Sequence, residues 1–347
     1  MNLDTWWRFK AREAIKRYLK IVGFRRIYEM TFWLTHRCVY HCSFCVINDN
    51  KGPFLSKEAV FAFVKEALPY KLGTVPITGG EPMLHPDFAE ICHFLLDNVP
   101  TIGIHITGKL LNEDNLKEME KKGRRWLWWL TIVAPDKGLN DKYRARGAFE
   151  DAVRACALLK ERGHSLGIAV NIVPETLPHL EETIQFGFEK LQADFVTTEP
   201  IAPIGRAVDD IQKNVLNDEQ LHSYYRLMTD LIPQWANKGK RVEALNIIYG
   251  LPRRCEFIWK GNGFNVLPTG SVNPCCFFLD EDMSTGKIDE GVKKCSSFSR
   301  FGALNKIMIK THSNVEERVK KVGIWSCFEC VLNYQLLVKG RNELLKR

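Results

Sequence analysis

Long hydrophobic runs are missing from this sequence. No stretch reaches the roughly 18 uninterrupted apolar residues that a membrane-spanning helix needs. Charges interrupt the first residues throughout, so no secretory signal is predicted there. Low-complexity tracts are absent too, and no internal repeat occurs beyond the strand–helix alternation described below. A large excess of one charge sign is also lacking: 49 basic and 41 acidic residues give +8, which permits an anionic substrate, nucleic acid or a membrane surface and establishes none of them.

Cysteine is the residue type that stands out. The 347 residues suffice for one large or two ordinary domains, and a hydrophobic content of 45% predicts a sizeable core. Eleven cysteines are many for such a chain, and seven of them have the spacings of metal ligands rather than of a disulfide framework. Low-potential metal clusters need a reducing compartment, so we expect a cytoplasmic protein.

Residues 5–22 have the pattern of an amphipathic helix. One side carries apolar residues and the other carries basic ones, with tryptophan at the start. The apolar positions are Trp7, Ala11, Ala14, Tyr18 and Val22. Such a helix is typical either of a peripheral membrane contact on the inner face of the membrane or of a segment packed on its own domain. We favour the packed helix.

From Tyr28 onward, short β-rich runs alternate with segments of helical period. The predicted strands are 28–35, 74–78, 102–107, 127–133, 166–173 and 194–200. The clearest predicted helices are 57–68, 87–97, 112–122, 148–162 and 178–191. This alternation predicts an α/β fold with a parallel sheet, and six strand–helix units make a partial barrel, (β/α)6 and TIM-like. A long helix at 217–238, a strand near 242–248 and a compositional change near Gly250 give three predicted regions: 1–27, 28–249 and 250–347.

Three cysteines at the end of the first strand carry the strongest signal. Cys38, Cys42 and Cys45 have the spacing C-x3-C-x2-C. Thiolates this close hold iron–sulfur clusters, and three ligands for a four-iron cluster leave one iron open to another ligand. A structural zinc site normally takes four protein ligands, and His36 and His41 lack the spacing to complete one. A disulfide is the other alternative.

This cysteine spacing resembles that of the radical S-adenosylmethionine (AdoMet) enzyme family, also called radical SAM. Phe44, before the third cysteine, also fits the family pattern, and one strand–helix unit later the sequence GGEP matches its motif for the methionine amine. The GGEP residues are Gly79, Gly80, Glu81 and Pro82. The resemblance implies a [4Fe–4S] cluster at the three cysteines, bound AdoMet, and an electron donor such as flavodoxin or ferredoxin. It also implies reductive cleavage of AdoMet to a 5′-deoxyadenosyl radical that abstracts hydrogen.

Further candidate AdoMet contacts follow from the same resemblance. Thr131 on the fourth strand and Arg144 after it stand where peptide- and metabolite-modifying members carry contacts, and Asn171 is a polar candidate on the fifth strand. The chain departs from the family at Val133, where aspartate is common, and at Ile106-Thr107-Gly108, where many members have Thr-Asn-Gly. These departures put a standard substrate pocket in doubt. A capping or loop role is the alternative for each of these residues.

The C-terminal region carries a second cysteine set. Around Pro268-Thr269-Gly270 the sequence predicts a β-hairpin. The surrounding cysteines resemble an auxiliary-cluster domain, called SPASM in its full form and twitch in its shortened form. The shortened form implies one further [4Fe–4S] cluster held by Cys255, Cys275, Cys327 and Cys330. Zinc bound by four cysteines is the alternative. Cys276 and Cys295 have no assigned partner, and Cys92 and Cys156 have core spacing.

The sequence thus predicts a radical SAM enzyme whose substrate is a small molecule or a peptide. The auxiliary cluster would accept an electron from a substrate radical or anchor the pocket. Two alternatives from other classes are a membrane-associated lipid-modifying enzyme, suggested by residues 5–22, and a non-catalytic zinc- or cluster-binding module that contacts nucleic acid. We expect no nucleic acid partner.

Overall fold

A mostly parallel sheet, flanked by helices, dominates the fold. The computed structural model describes residues 27, 29–120, 126–244, 247–248, 263–273, 275, 279, 281, 284–295 and 325–326. The predicted N-terminal helix at 5–22 therefore lies outside the described residues, as do Cys255, Cys276, Cys327 and Cys330.

Twelve strands occur in the described part of the chain. They are β1 (Glu29–Trp33), β2 (Thr74–Thr78), β3 (Thr101–Ile106), β4 (Leu127–Ile132), β5 (Ser165–Ile172), β6 (Phe195–Pro200), β7 (Arg241–Ala244), β8 (Ile247–Ile248), β9 (Gly263–Val266), β10 (Ser271–Asn273), β11 (Gly286–Lys287) and β12 (Trp325–Ser326). Ten of them form one sheet in the order β11-β10-β9-β1-β2-β3-β4-β5-β6-β7, and β8 pairs with β12. Each neighbouring pair from β1 to β7 is parallel.

Helices follow the strands as the sequence predicted. They are α1 (Lys57–Ala67), α2 (Phe88–Asn98), α3 (Glu113–Met119), α4 (Lys137–Tyr143), α5 (Ala148–Glu161), α6 (Leu180–Glu189), α7 (Ile211–Asn214), α8 (Asp218–Asn237) and α9 (Val292–Cys295). Ser56 caps α1 by accepting from the backbone of Ala59, and Asn112 forms a capping box with Asn115 at α3, because each polar side chain satisfies a helix N–H that has no partner in the helix. The strand–helix alternation, and with it the partial TIM-like barrel, is confirmed. The helices α4, α7 and α9 were not predicted.

Side chains alternate between the two faces of the sheet. On β4, Trp128 and Leu130 are buried in the layer between the sheet and the helices, whereas Trp129 and Thr131 face the barrel interior. Cys92 and Cys156 lie fully buried in the same helix–sheet core, as their spacing predicted. The outer layer is therefore apolar, while the barrel interior carries polar and aromatic residues that can face a ligand.

Strands from beyond Gly250 continue the barrel sheet. β9 pairs in parallel with β1, with Phe264 opposite Met30, and β10 pairs antiparallel with β9. This confirms the predicted hairpin, whose turn uses Gly270 at a φ of +79° that favours glycine. The boundary predicted at 249–250 therefore separates strands of one sheet, and it stays a prediction as a domain boundary.

Candidate active site

The cysteine loop and the GGEP segment leave the sheet side by side. β1 and β2 are parallel neighbours, and Trp33 lies opposite Thr78 at their carboxyl ends. Beyond the strands, backbone hydrogen bonds still join the two segments: Gly80 N donates to Thr35 O at 2.8 Å, and Glu81 N donates to Arg37 O at 2.8 Å. Ligand sites in parallel sheets collect at this edge.

The two glycines of GGEP are required by this close approach. A Cβ added at Gly79 would lie 2.3 Å from Thr35 O, and one added at Gly80 would lie 2.2 Å from Arg37 O. No side chain fits at these distances. The glycines thus hold the cysteine loop as well as line the cavity beside it.

Three thiols and most of the predicted AdoMet contacts line one cavity of about 190 Å³. Its walls bring together parts of the chain that are far apart in sequence, at the carboxyl ends of β1 to β5. The predicted residues among them are Cys38, Cys42, Cys45, Phe44, Gly79, Gly80, Thr131, Arg144 and Asn171. These residues, named from the cysteine spacing and the family resemblance, therefore lie around one cavity, and their roles as ligands stay predictions.

The three thiols line one cavity. In the described residues, no group of three His, Cys, Asp or Glu side chains is placed to hold a single metal ion. Three thiols around one cavity suit a cubane, in which each thiolate would hold a different iron. Burial raises the pKa of the Cys38 thiol to about 12 and also raises the pKa of Cys45, so a positively charged core is needed to hold both as thiolates. The donor set therefore fits a [4Fe–4S] cluster.

Arg144 lines this cavity and has one buried hydrogen-bond donor without a partner. Its side chain is 4% exposed, one guanidinium nitrogen donates to Thr131 O, and the guanidinium lies 5.6 Å from the centre of the Tyr40 ring. The Nε atom is buried and has no hydrogen-bond partner. A buried donor without a partner costs free energy, so it favours an acceptor supplied by a ligand, such as a carboxylate. The arrangement fits the carboxylate of AdoMet.

Glu81 is held by hydrogen bonds within the chain and does not line the cavity. Its carboxylate is fully buried and accepts from Thr107 N at 2.8 Å and from Met83 N at 3.1 Å. Burial raises its pKa, and the hydrogen bonds from Thr107 oppose that rise. Neither Glu81 nor Pro82, which begins the short turn Pro82–Leu84, lines the cavity. Glu81 therefore joins the carboxyl ends of β2 and β3, and its predicted contact with the ammonium group of AdoMet gains no support from this geometry.

The sequence analysis missed several residues of the cavity wall. They are Tyr40, Thr78, His105, Ile106, Thr107 and Arg206. His105 stacks on Trp129, with ring centres 5.2 Å apart, and burial lowers its pKa to about 4. Tyr40 donates its hydroxyl to Asp151 at 2.5 Å, and burial raises its pKa. The available signal for Thr78, His105, Ile106 and Thr107 was position, since they lie at the carboxyl ends of β2 and β3. Tyr40 and Arg206 lie farther from a strand end and had no such signal.

The second cysteine set is described only in part. Cys275 follows β10 and is partly buried, while its three predicted co-ligands lie outside the described residues. Cys295 is buried and donates its thiol to Lys287 O at 3.3 Å. In the described helices none is long and apolar enough to cross a membrane.

Comparison with known proteins agrees with this site. Residues 34–187 match the family model described as the Radical SAM superfamily. The chain is 24% identical over 268 residues to the antilisterial bacteriocin subtilosin biosynthesis protein AlbA of Bacillus subtilis, covering 74% of this chain and 56% of AlbA. It is 23% identical over 247 residues to a PqqA peptide cyclase of Bradyrhizobium diazoefficiens, covering 70% of this chain and 64% of the cyclase. The chain thus spans less than two thirds of the length of either relative.

Solved structures share the fold. Streptococcus suis SuiB bound to its precursor peptide SuiA superposes with a TM-score of 0.61 at 14% identity, over 80% of this chain and 66% of SuiB. The enzyme anSMEcpe with bound AdoMet gives a TM-score of 0.63 at 18% identity, over 79% of this chain and 78% of anSMEcpe. The family match contains the three-cysteine loop and the GGEP segment, and residues 34–187 are therefore a radical SAM domain, a domain whose enzymes use a [4Fe–4S] cluster and AdoMet.

Proposed function

We propose that this radical SAM enzyme modifies a peptide by abstracting hydrogen from an unactivated carbon of one side chain. The observation that carries the proposal is a pair of adjoining cavities. A second cavity, of about 200 Å³, shares Phe44, Cys45 and Asn171 with the cavity of the three thiols. At about 30 Å³ per water, this volume suits a single side chain. A side chain held there would lie beside the cofactor site.

The open sheet favours a large substrate. In the described part of the sheet, β7 and β11 are the end strands and do not pair with each other. A substrate much larger than the cavity can therefore present one group to the barrel interior and leave the remainder outside. Two similar proteins, a PqqA peptide cyclase and SuiB, which was solved with its precursor peptide SuiA, favour a peptide over the small molecule that the sequence equally allowed.

The residues of the chain bind the cluster and AdoMet and orient them. The bound cluster and AdoMet supply the hydrogen-abstracting radical. Cys38, Cys42 and Cys45 would hold the cluster, and the guanidinium of Arg144, whose Nε has no partner within the chain, would donate to the carboxylate of AdoMet. Phe44 shields the boundary between the two cavities from water, because its ring is 8% exposed and lines both.

A deuterium-transfer experiment tests the peptide assignment. Anaerobically reconstituted protein is incubated with AdoMet and dithionite, together with a pool of octapeptides built from perdeuterated amino acids. Transfer of deuterium into 5′-deoxyadenosine, read by mass spectrometry, supports a peptide substrate. Parallel reactions use perdeuterated sugars and vesicles of perdeuterated anionic phospholipid. Deuterium arriving from either of these and not from the peptides would contradict the proposal, and vesicle transfer would favour the membrane-associated alternative. The Cys38/Cys42/Cys45→Ala variant gives the background.

We also propose an auxiliary [4Fe–4S] cluster held by Cys255, Cys275, Cys327 and Cys330. The cysteine spacing supports it, and Cys275 lies just beyond β10, which pairs with β9, the neighbour of β1. Two cubanes would give about eight irons per chain. Replacing Cys327 and Cys330 with Ala should lower the iron content to about four, whereas zinc in place of the second set would contradict this assignment. A flavodoxin or ferredoxin as electron donor stays a prediction.

A further inference from the structure

Arg206 binds the cysteine loop from the far side of the barrel. It lies in the short turn Gly205–Val208 that follows β6, and it is 5% exposed. Its Nε donates to Cys42 O at 2.9 Å, and its backbone N donates to Cys45 O at 2.8 Å. One residue thus fixes the backbone of two of the three cysteines.

Further contacts extend the same attachment. A second guanidinium nitrogen of Arg206 donates to Asn48 O at 3.2 Å and to Asn50 Oδ1 at 3.0 Å. Gly205 allows this approach, since it has a φ of +58° and its added Cβ would lie 2.3 Å from Cys45 O. Because the guanidinium is planar, its nitrogens can reach several acceptors at once, which an ammonium group on a flexible stem does less well.

The charge of Arg206 is not neutralised by a carboxylate. Its partners are backbone carbonyls and one amide oxygen, and in the described part of the chain no carboxylate forms an ion pair with it. It also lines the cavity of the three thiols. A buried, unpaired cation beside a cluster favours the state with one more electron, because reduction adds negative charge there.

We propose that Arg206 is a positioning residue for the cluster: it fixes the loop that carries Cys42 and Cys45, and its charge raises the reduction potential of the cluster. This role goes beyond the proposed function and holds whatever the substrate is, because the cluster and its loop lie within the chain. The segment after β6 would then influence the reduction of the cluster, with which the reaction starts, although it contributes no ligand.

The chain offers a matched control on the same segment. Asn214, at the end of α7, is 1% exposed and also bonds the loop: Ser43 Oγ donates to its Oδ1 at 2.8 Å, and its Nδ2 donates to Ser43 O at 3.3 Å. It carries no charge. Asn214→Ala therefore removes an attachment of the loop without changing the electrostatics.

The test is a redox titration of the full-length, reconstituted protein without substrate. The signal followed is the electron paramagnetic resonance signal that AdoMet alters, which distinguishes this cluster from any other. Arg206→Gln should shift its midpoint potential to more negative values; a tenfold loss in the reduction equilibrium would be a shift of about 59 mV. Arg206→Lys and Asn214→Ala should stay near the wild-type potential and lose iron faster to a chelator.

The outcomes separate charge from attachment. A wild-type potential in Arg206→Gln, or a shift of equal size in Asn214→Ala, would overturn the proposal. If Arg206→Gln retains no iron, Arg206→Lys is the deciding variant, because it keeps the positive charge. A midpoint potential equal to that of the wild type supports the role of the charge. A midpoint potential as negative as that expected for loss of the charge overturns the proposal. Failure of the peptide proposal would leave every one of these measurements unchanged.

Discussion

The carboxylate of Glu81 accepts hydrogen bonds from Thr107 twice, from its backbone N at 2.8 Å and from its hydroxyl at 2.5 Å. The other carboxylate oxygen accepts from Met83 N. A residue of the GGEP segment thus ties the end of β2 to the end of β3, at the wall of the cofactor cavity. Glutamate at this position has a structural reason that is independent of any ligand.

The first prediction concerns the stability that Glu81 provides. In Glu81→Ala the buried N–H groups of Thr107 and Met83 lose their acceptor, so the free energy of unfolding should fall by about 1–3 kcal/mol for each unsatisfied group. Thermal unfolding of the apo-protein measures the effect, with the exposed Glu161→Gln as control. An unchanged melting temperature with weakened AdoMet binding would show that Glu81 serves the ligand instead.

A second prediction concerns the three-cysteine loop. The Cys38/Cys42/Cys45→Ala variant should lose about four irons per chain and make no 5′-deoxyadenosine under dithionite, because each thiolate holds a different iron. Cys156→Ala is the matched control, because Cys156 is fully buried in α5 and is not part of the cysteine loop. It should keep its iron and its AdoMet cleavage. Cleavage by the triple variant would contradict the assignment of the cluster.

Gly80 allows a third prediction. In Gly80→Ala the new Cβ would meet Arg37 O at 2.2 Å, so the cysteine loop must move. Overpacking of this kind costs about 1–3 kcal/mol, and the displaced loop should bind less iron on reconstitution. Gly138→Ala, whose Cβ meets only the side chain of Asp136 at 3.2 Å, should change neither property. Normal iron content in Gly80→Ala would show that the loop tolerates the displacement.

Arg144 carries a fourth prediction, on cofactor affinity. A charge-assisted hydrogen bond is worth about 1.5–3 kcal/mol, so Arg144→Gln should weaken AdoMet binding roughly tenfold to a hundredfold. Calorimetric titration of the reconstituted protein with AdoMet measures the dissociation constant. Arg146→Gln is the neighbouring control, because Arg146 is exposed. Equal affinities in the two variants would remove Arg144 from the binding site.

The sequence predicted the sheet and most of the cavity because both depend on local patterns. Residues such as Thr131 and Asn171 could be placed once their strands were known, since parallel strands end at one edge. The attachment by Arg206 could not be predicted, because its acceptors are 156–164 residues away and leave no pattern in the sequence. The direction of the Glu81 carboxylate could not be predicted either, since a motif fixes the residue type and not the side-chain rotamer.

The last prediction concerns pH and His105. Burial lowers its pKa to about 4, below the ordinary value of 6.5, so the folded apo-protein holds this imidazole neutral. Between these two values the unfolded chain binds the proton more readily than the folded one. The contribution of His105 to stability is therefore fully present above pH 6.5 and is lost as the pH falls toward 4. Urea unfolding of the apo-protein across this range should show stability falling with pH, and His105→Phe, which keeps a ring to stack on Trp129, should show a smaller fall. An identical pH dependence in the two proteins would mean that other groups set the acid sensitivity and that His105 accepts its proton without cost.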